Sequence, residues 1–345
     1  MSEHYRPRID PWQIDDAEFY ELESHDAQMR FLLRYAVLAP SARNTQPWAF
    51  VVTSAGVEVY ADYSRRLLVV DPADRELLMS VGAAITNFRV AAAHFGIETS
   101  VRYESRPEER IPVALITTCE TCAPDLQLAS LFGAIRKRRT NRAPFDRKPI
   151  DPLLLERLCD VIDRFPETLQ LIAGHDKSHV AAMIEQADRA LLARPAFRAE
   201  VADWIRPNDD DHSDGLRGDA IGLPLLFAAG ASWLMRRVDV GAWQGTRDRL
   251  LAESASALLV VTAENDRASL LRAGEALEIL LLTIADAGLQ YSFLNQPISD
   301  PAMRERVGTI AGAVHPPQLL IRIGSAPAVA QAKPRRPIER VVARY

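Results

Sequence analysis

Hydrophobic and polar positions along the chain fall into blocks that predict a mixture of helices and strands. Residues 26–39 carry apolar side chains at helical spacing, and Pro40 ends this helix because proline cannot continue its hydrogen bonds. Residues 48–62 read as two short strands that turn at Ala55 and Gly56. The first part of the chain is therefore expected to form a helix followed by a β-hairpin.

Two longer helices are predicted to lie deep in the core. Residues 74–95 and 266–287 are apolar on nearly every side, which is typical of buried helices, and a glycine follows each of them. Their segments 82–97 and 274–289 share length, apolar character and that glycine. This similarity indicates either an internal repeat or two unrelated core helices. Buried strands are predicted at residues 111–118, 256–264 and 318–327.

Polar sequence that contains glycine interrupts the second half of the chain twice, at residues 206–224 and 239–249. The two interruptions frame an insert of roughly fifty residues, which is long for a connection inside a compact domain. We place this insert at residues 195–250.

The composition excludes several classes of protein. The 345 residues are 48% hydrophobic and 25% charged, as in ordinary globular chains, and exceed the size at which one core usually stops growing. The net charge of −5 gives no electrostatic reason to bind nucleic acid, and no apolar run reaches the length of a membrane span. The chain shows no signal peptide, and its three cysteines suggest a reducing compartment without a disulfide framework. We expect a soluble, cytoplasmic protein.

The segment 38–50, LAPSARNTQPWAF, departs from the apolar pattern around it. It could be ordinary loop chemistry, since short polar side chains cap helices and satisfy the backbone of turns. A binding role is favoured because Asn44 and Gln46 are both amides, which suit the alternating carbonyl and N–H groups on the edge of a flavin ring. Trp48 and Phe50 would anchor the loop on a strand.

This segment closely resembles the Ala-Pro-Ser-x-x-Asn-x-Gln-Pro-Trp motif of the FMN-dependent nitroreductase superfamily. In that family the loop lies against the flavin, and part of it reaches the flavin bound mainly by the other subunit of a dimer. The resemblance implies an α+β fold, with a mostly antiparallel sheet flanked by helices, and FMN as the cofactor. It also implies flavin contacts at Pro40, Ser41, Ala42, Asn44 and Gln46.

The rest of the implied FMN site is expected in the second half of the chain. The sequence RKRRTNR resembles the family's Arg-Arg-Ser-x-Arg pattern, which serves the ribityl-phosphate and usually lies near the start of a member. Taken alone, it could be the solvated basic end of a helix. Arginine suits a phosphate because its planar guanidinium donates as a fork. The resemblance implies cofactor contacts at Arg138, Arg139, Thr140, Arg142, Leu294, Asn295, Gln296, Lys333, Arg335 and Arg336.

The two motifs lie in different halves, so the chain resembles a fused dimer that has kept one flavin site of two. This arrangement is similar to the Acg-like single-chain branch of the superfamily, in which the insert serves as a lid over the flavin. We expect a first pseudo-repeat over residues 1–125, a second over residues 126–345, and a lid at 195–250. An internal interface of this kind predicts a monomer.

Two functions are implied by the resemblance. The first is an enzyme in which FMN accepts hydride from NAD(P)H and reduces a nitro, quinone or enone compound. The flavin carries that chemistry, so no catalytic acid or base is named. The second is a protein that stores or sequesters FMN, because a lid over the flavin would exclude nicotinamide. The mobility of the lid decides between them, with candidate hinges at Gly215, Gly218, Gly222 and Gly241.

Two other groups of residues could suggest thiol or metal chemistry. Cys119 and Cys122 form a C-x-x-C, and residues 209–219 combine several carboxylates with His212. The first group lacks a second pair or a nearby histidine, and the second lacks the spacing of a calcium loop or a zinc site. We predict no metal site.

Overall fold

Two four-stranded antiparallel sheets organise the chain, which a computed structural model describes over residues 10–104, 110–207, 212–217 and 230–343. The first sheet contains β1 (Trp48–Thr53), β2 (Gly56–Ala61), β3 (Glu98–Tyr103) and β4 (Ala114–Cys119), in the spatial order β1-β2-β4-β3. The predicted hairpin is confirmed, with Thr53 opposite Gly56 at its turn. The strand β3 was not predicted, because its sequence ETSVRY is largely polar.

The second sheet repeats the strand order of the first. It contains β5 (Leu169–Ile172), β8 (Ala257–Thr262), β9 (Gln290–Phe293) and β10 (Pro317–Gly324), in the order β5-β8-β10-β9. The strands β6 (Ile205–Arg206) and β7 (Leu216–Arg217) form a separate parallel pair. In both sheets a long helix follows the second strand in the sequence. The third strand then lies at an outer edge of the sheet, and the fourth lies between the second and the third. The predicted α+β class with mostly antiparallel sheets is confirmed.

Eleven α-helices occur in the described part of the chain. They are α1 (His25–Ala36), α2 (Arg75–His94), α3 (Leu126–Ser130), α4 (Phe132–Ile135), α5 (Pro152–Arg164), α6 (Lys177–Ala193), α7 (Pro195–Asp203), α8 (Ala231–Arg237), α9 (Gly241–Ser254), α10 (Arg267–Asp286) and α11 (Pro301–Ala311). Side-chain caps begin several of them: Ser24 accepts from the N–H of Ala27, and Asp266 from that of Ser269. No helix among the described residues is long and apolar enough to cross a membrane.

The helices α2 and α10 cross between the two sheets at a pair of glycines. A β-carbon added at Gly82 would lie 2.1 Å from the carbonyl oxygen of Leu271, and one at Gly274 would lie 2.2 Å from that of Met79. Gly82 and Gly274 are the first residues of the two similar segments noted in the sequence. The two halves therefore meet where the backbones approach too closely for any side chain. The pseudo-repeat boundaries at residues 125 and 126 stay a prediction.

Residues near position 342 extend the edge of the first sheet. The N–H of Phe50 donates to the carbonyl of Val341 over 2.8 Å, and the N–H of Ala343 donates to the carbonyl of Phe50 over 3.0 Å. Val342 thus pairs in parallel with Phe50, although the two residues lie far apart in the sequence. The segment that carries Lys333 and Arg335 is consequently held against the first half of the chain.

The second predicted interruption, at residues 239–249, is wrong because helix α9 begins at Gly241. The glycines that suggested a loop instead permit close packing on α6. A β-carbon at Gly245 would lie 2.7 Å from the carbonyl oxygen of Glu185, and one at Gly241 would lie 3.0 Å from the α-carbon of Arg189. The rest of the insert contributes α7, β6, β7 and α8, and residues 208–211 and 218–229 lie outside the described residues, together with Gly218 and Gly222.

The expectation of no disulfide is also wrong. Cys119 ends β4, and the turn that follows brings its α-carbon within 5.5 Å of that of Cys122, where the two sulfurs are bonded. Cys159 is free. The C-x-x-C segment therefore forms a short turn, closed by a disulfide, at the end of β4.

Candidate functional site

The loop that follows α1 adopts a rare backbone conformation. Arg43, Asn44 and Gln46 have φ angles of 48°, 57° and 53°, and Asp74 is the only other non-glycine residue of the described chain with a positive φ. Such conformations cost of order 1–3 kcal/mol each and tend to occur at functional sites. The short 3-10 helix Ala42–Asn44 results from this path, and Ser41 supports it by accepting the N–H of Gln46 over 2.9 Å.

Three adjacent cavities surround this loop, and their lining residues overlap. The first, which we call the slot, has about 130 Å³ and lies between α2, α10 and β9. The second, the basic cleft, has about 40 Å³, and the third, the large cavity, has about 490 Å³ and extends under the insert. Pro40, Ser41 and Thr140 line both the slot and the basic cleft, whereas Arg142 lines all three cavities.

Most of the site residues predicted from the sequence line one or more of these cavities. In the slot these are Pro40, Ser41, Ala42, Thr140, Arg142 and Asn295. In the basic cleft they are Pro40, Ser41, Asn44, Arg138, Arg139, Thr140, Arg142, Lys333 and Arg335, and in the large cavity Arg142, Leu294, Asn295 and Gln296. Gln46 and Arg336 are absent from the described linings. The two halves of the chain thus supply one continuous set of cavities.

Arg138 is largely committed to the protein core. Its Nε lies 3.2 Å from Oε1 of Glu278, which is fully buried in α10. Its Nη1 donates to the hydroxyl of Tyr291 over 2.5 Å, and its Nη2 to the carbonyl of Leu38 over 2.8 Å. Arg138 therefore joins the segment after α1 to α10 and β9 at the wall of the basic cleft.

Arg335 and Arg336 also make many bonds to the chain. Arg335 donates to Oδ1 of Asn44 over 3.0 Å and to the carbonyls of Leu38 and Ala39, each over 3.1 Å. Arg336 donates to the carbonyl of Gln46 over 3.1 Å and lies 3.5 Å from Oδ2 of Asp62. These contacts hold the segment near residue 335 against the loop.

The side-chain amides of Asn44 and Gln46 donate hydrogen bonds to backbone carbonyls of the insert. Nδ2 of Asn44 donates to the carbonyls of Gly215 and Pro334 over 3.2 and 3.1 Å, and Nε2 of Gln46 donates to the carbonyl of Ser213 over 2.8 Å. The N–H of Arg336 donates to Oε1 of Gln46 over 2.8 Å. The implied contact of these amides with a flavin stays a prediction, and in this structure they fasten residues 213–215.

Arg43 and Arg142 are cations whose guanidinium groups make no hydrogen bond or ion pair with the described residues. Nε of Arg43 is buried without a partner. Burial lowers the pKa of Arg43, and burial followed by repulsion from Arg43 lowers the pKa of Arg142 to about 10. Both residues line the slot and the large cavity.

The basic cleft concentrates further positive charge. Arg139 stacks on the ring of Trp12, with its guanidinium carbon 3.9 Å from the ring centroid. Burial, and then repulsion from Arg138, lowers the pKa of Arg139 to about 10. Burial, and then repulsion from Arg138 and Arg139, lowers the pKa of Arg335 to about 9. Cations that depress one another's pKa in a partly buried cleft favour a bound anion.

Sequence reasoning missed several residues of the site. Arg43 occupies an unspecified position of the motif, although its place inside that motif was a usable signal. Glu76 lines the slot and the large cavity from the first turn of α2 and accepts Nδ2 of Asn295 over 3.2 Å. Burial, and then repulsion from Asp71, raises the pKa of Glu76 to about 7. No pattern in the sequence singled out Glu76 or Trp12.

Metal chemistry finds no support in the described residues. They contain no group of three or more histidine, cysteine, aspartate and glutamate side chains placed to hold a metal ion. Asp209, Asp210 and Asp211, which were considered with His212, lie outside the described residues. The arrangement around the loop combines a cluster of cations with apolar walls.

Comparison with known proteins points to one family, although no family model matches the chain. The chain is 29% identical over 316 residues to a Mycobacterium tuberculosis protein (strain H37Rv) named "Putative NAD(P)H nitroreductase acg", with 90% of this chain and 93% of that protein covered. A second protein of that organism with the same kind of name is 29% identical over 323 residues, with 91% and 90% covered. The "Probable NAD(P)H nitroreductase PigM" of Serratia is 25% identical over 258 residues, with 70% and 69% covered. The resemblance seen in the two motifs is confirmed across most of the chain.

Solved structures give weaker matches. The FMN-dependent nitroreductase NfnB from Mycobacterium smegmatis, in complex with NADPH, aligns with a TM-score of 0.36 at 14% identity and covers 59% of this chain and 95% of that one. A crystal structure described as a "putative nitroreductase" from Anabaena variabilis aligns with a TM-score of 0.45 at 11% identity and covers 93% of both chains.

Proposed function

We propose that this relative of the NAD(P)H nitroreductases binds FMN in the slot and the basic cleft, and uses NAD(P)H to reduce small nitro, quinone or enone compounds. The observation that carries the proposal is the meeting of two distant motifs. Pro40 and Ser41 of the first motif line the same two cavities as Thr140 and Arg142 of the second. The sequence similarity to proteins that bear nitroreductase names supports the same function.

The walls of the two cavities fit the two ends of FMN. Met79, Leu277 and Phe293 give the slot apolar walls that suit a flat ring system. The basic cleft presents arginines and Lys333, which suit a phosphate that carries nearly two negative charges at neutral pH. A bound phosphate would also offset the burial, and then the mutual repulsion, that lower the pKa of Arg139 and Arg335.

The chain's own part in the proposed reaction is binding and electrostatics. FMN supplies the hydride chemistry when bound. We assign Arg139, Lys333 and Arg335 to the phosphate, with Arg138 supporting them from the core. We assign Arg142 to offset negative charge on the ring system, since its guanidinium has no bond to the described chain and lines all three cavities.

A second candidate function, the storage of FMN, is favoured by the way the insert is fastened. Asp214 lies between Arg65 and Arg206, with Oδ1 3.0 Å from Nη2 of Arg206 and Oδ2 bonded to Arg65. The adjacent carbonyls of Ser213 and Gly215 accept the amides of Gln46 and Asn44. Leu216 then lines both the basic cleft and the large cavity. A cover held by so many bonds would slow the entry of nicotinamide.

A visible absorption spectrum of the purified protein tests both functions. A flavin spectrum that bleaches under anaerobic NADPH or NADH is expected of the reductase. A flavin spectrum that persists with both nucleotides but bleaches with dithionite is expected of the storage protein. A colourless protein that also fails to take up added FMN would refute both.

The fastening of the insert can be tested separately with Asp214→Ala. We expect this change to accelerate the release of FMN, because it leaves Arg65 and Arg206 without their shared carboxylate. Stopped-flow fluorescence of released flavin measures the rate. Asp203→Ala, which removes an exposed partner of Arg236 in the same insert, is the matched control and should leave the rate unchanged. Equal rates of FMN release in the two variants would show that the contacts of Asp214 do not slow this release.

A further inference from the structure

The large cavity has an apolar wall and one acidic corner. Leu191, Val201, Leu234 and Trp243 are among its apolar lining residues, which come from α6, α7, α8 and α9. Asp188 of α6 and Asp248 of α9 line the same cavity and are both almost fully buried. Neither residue belongs to a motif, and the proposed binding of FMN does not use them.

The two carboxyl groups are neighbours in the acidic corner of the large cavity. Asp248 is well supplied with donors: its Oδ2 accepts Nε2 of Gln296 over 2.7 Å and Nε2 of Gln244 over 2.9 Å. Asp188 is 4% exposed, and its Oδ2 is buried without an N–H or O–H donor among the described residues. Two neighbouring buried carboxylates repel each other, so the pair favours one bound proton. A proton on Asp188 would explain why its buried Oδ2 accepts no N–H or O–H among the described residues.

Glu76 of α2 and Arg43 also line the cavity, and Arg247 acts on Asp188 as well as on Asp248. Nη1 of Arg247, on the same helix as Asp248, lies 3.7 Å from Oδ1 of Asp248. Arg322 of β10 and Arg142 act from further away, and Arg322 already donates to the carbonyls of Asn141 and Ala143. Burial, and then repulsion from Asp248, raises the pKa of Asp188 to about 8. Asp188 is therefore the carboxyl that retains a proton at neutral pH.

We propose that Asp188 keeps its proton beside the Asp248 carboxylate and donates a hydrogen bond to the carbonyl or nitro oxygen of an uncharged, apolar ligand in the large cavity. The inference rests on the proposed function in one respect, since it names the class of electron acceptor that the same site would take. A carboxyl that is neutral and buried can donate this bond, whereas a carboxylate would repel the oxygen. The pair thus selects for an oxygen acceptor on an otherwise apolar molecule.

A pair of matched ligands tests this inference. We would measure the binding of 1-nitronaphthalene and of naphthalene to the oxidised protein by calorimetry, between pH 6 and pH 9.5. Nitronaphthalene should bind about tenfold more tightly than naphthalene at pH 6, as expected of one buried hydrogen bond. That preference should fall as the pH rises through about 8, the pKa of Asp188. Naphthalene binding should not change with pH.

Asp188→Asn separates a binding role from a purely structural one. The amide keeps the shape and needs no proton, so the preference for nitronaphthalene should become independent of pH. A structural defect would instead weaken both ligands equally. Infrared spectroscopy gives a second reading: the difference between the wild-type and variant spectra should show a carboxylic acid band that disappears above pH 9. A preference in the wild type that is missing or constant with pH, or a variant that keeps the wild-type pH dependence, would overturn the proposal.

The two proposals can fail separately. Titration of FMN, followed by absorption, reports on the slot and the basic cleft without either aromatic ligand. FMN binding without a pH-dependent ligand preference overturns only the acidic pair. The preference without FMN binding overturns the proposed flavoprotein and leaves the pair intact.

Discussion

Arg138 and Arg142 lie four residues apart in one motif but have opposite surroundings. Arg138 is paired with Glu278, whose side chain is fully buried, and bonds to Leu38 and Tyr291. Arg142 has no hydrogen bond or ion pair from its guanidinium to the described residues, and it lines all three cavities. One arginine therefore holds the two halves together, and the other is available to a ligand.

Loss of the charge on Glu278 should destabilise the protein strongly. Glu278→Gln keeps the shape of the side chain but leaves Arg138 as an uncompensated buried charge, which typically costs about 3–5 kcal/mol. Urea denaturation measures the free energy of unfolding. The control is Asp286→Asn at the surface pair with Arg157, where we expect a loss of under about 1 kcal/mol. Similar losses in the two variants would contradict the structural role of Glu278.

Replacement of Arg142 should weaken FMN binding without loss of stability. Arg142→Met removes a positive charge that the described chain does not use, so the dissociation constant for FMN should rise about tenfold or more. Fluorescence titration of FMN measures it. The control Arg157→Met removes a cation far from the cavities and should bind FMN as the wild type does. An unchanged affinity in Arg142→Met would remove this residue from the site.

At the level of residues, the sequence located the motifs but not the orientation of their side chains. Pro40, Ser41, Thr140 and Arg142 line the cavities as expected. The amides of Asn44 and Gln46 turn to the insert, and the contacts responsible involve residues some 170 positions away, which no local pattern specifies. Asp188 and Asp248 gain their character only from burial and from each other.

Among the elements, the crossing of α2 and α10 depends on two glycines. Gly82→Ala and Gly274→Ala each place a methyl group against a carbonyl oxygen of the opposite helix, so each should cost about 1–3 kcal/mol or more through forced separation of the helices. Thermal denaturation gives the change in stability. Gly133→Ala, in α4, meets nothing within 4 Å and should be neutral or slightly stabilising. If the three variants have the same stability, α2 and α10 do not approach each other as closely as this structure shows.

Helices and strands with a strong hydrophobic period could be predicted from the sequence, whereas elements that depend on tertiary packing could not. The long apolar helices and the strand at residues 257–262 agree with the sequence to within a few residues. The candidate lid hinges Gly215 and Gly241 lie close to neighbouring groups, because a β-carbon at either would lie 3.0 Å or less from its nearest neighbours, and their mobility stays a prediction. Glycine signals a special backbone position, but sequence does not separate a hinge from a close contact.

For the molecule as a whole, the internal interface predicts that the protein is a monomer. The two sheets have the same strand order, and their central helices already pack on each other. The faces of α2 and α10 that meet at the two glycines are thus covered within the chain. Light scattering should give a mass near 38.3 kDa, and a mass of twice that value over a range of concentrations would contradict the prediction.

The pairing of Phe50 with residues 341–343 has a consequence for biosynthesis. The first sheet and the loop beside it are translated early, yet the outer edge of that sheet stays unpaired until almost 300 further residues have been made. Lys333 and Arg335 reach the loop on the same late segment. A growing chain therefore completes the proposed cofactor site only when synthesis has passed residue 343.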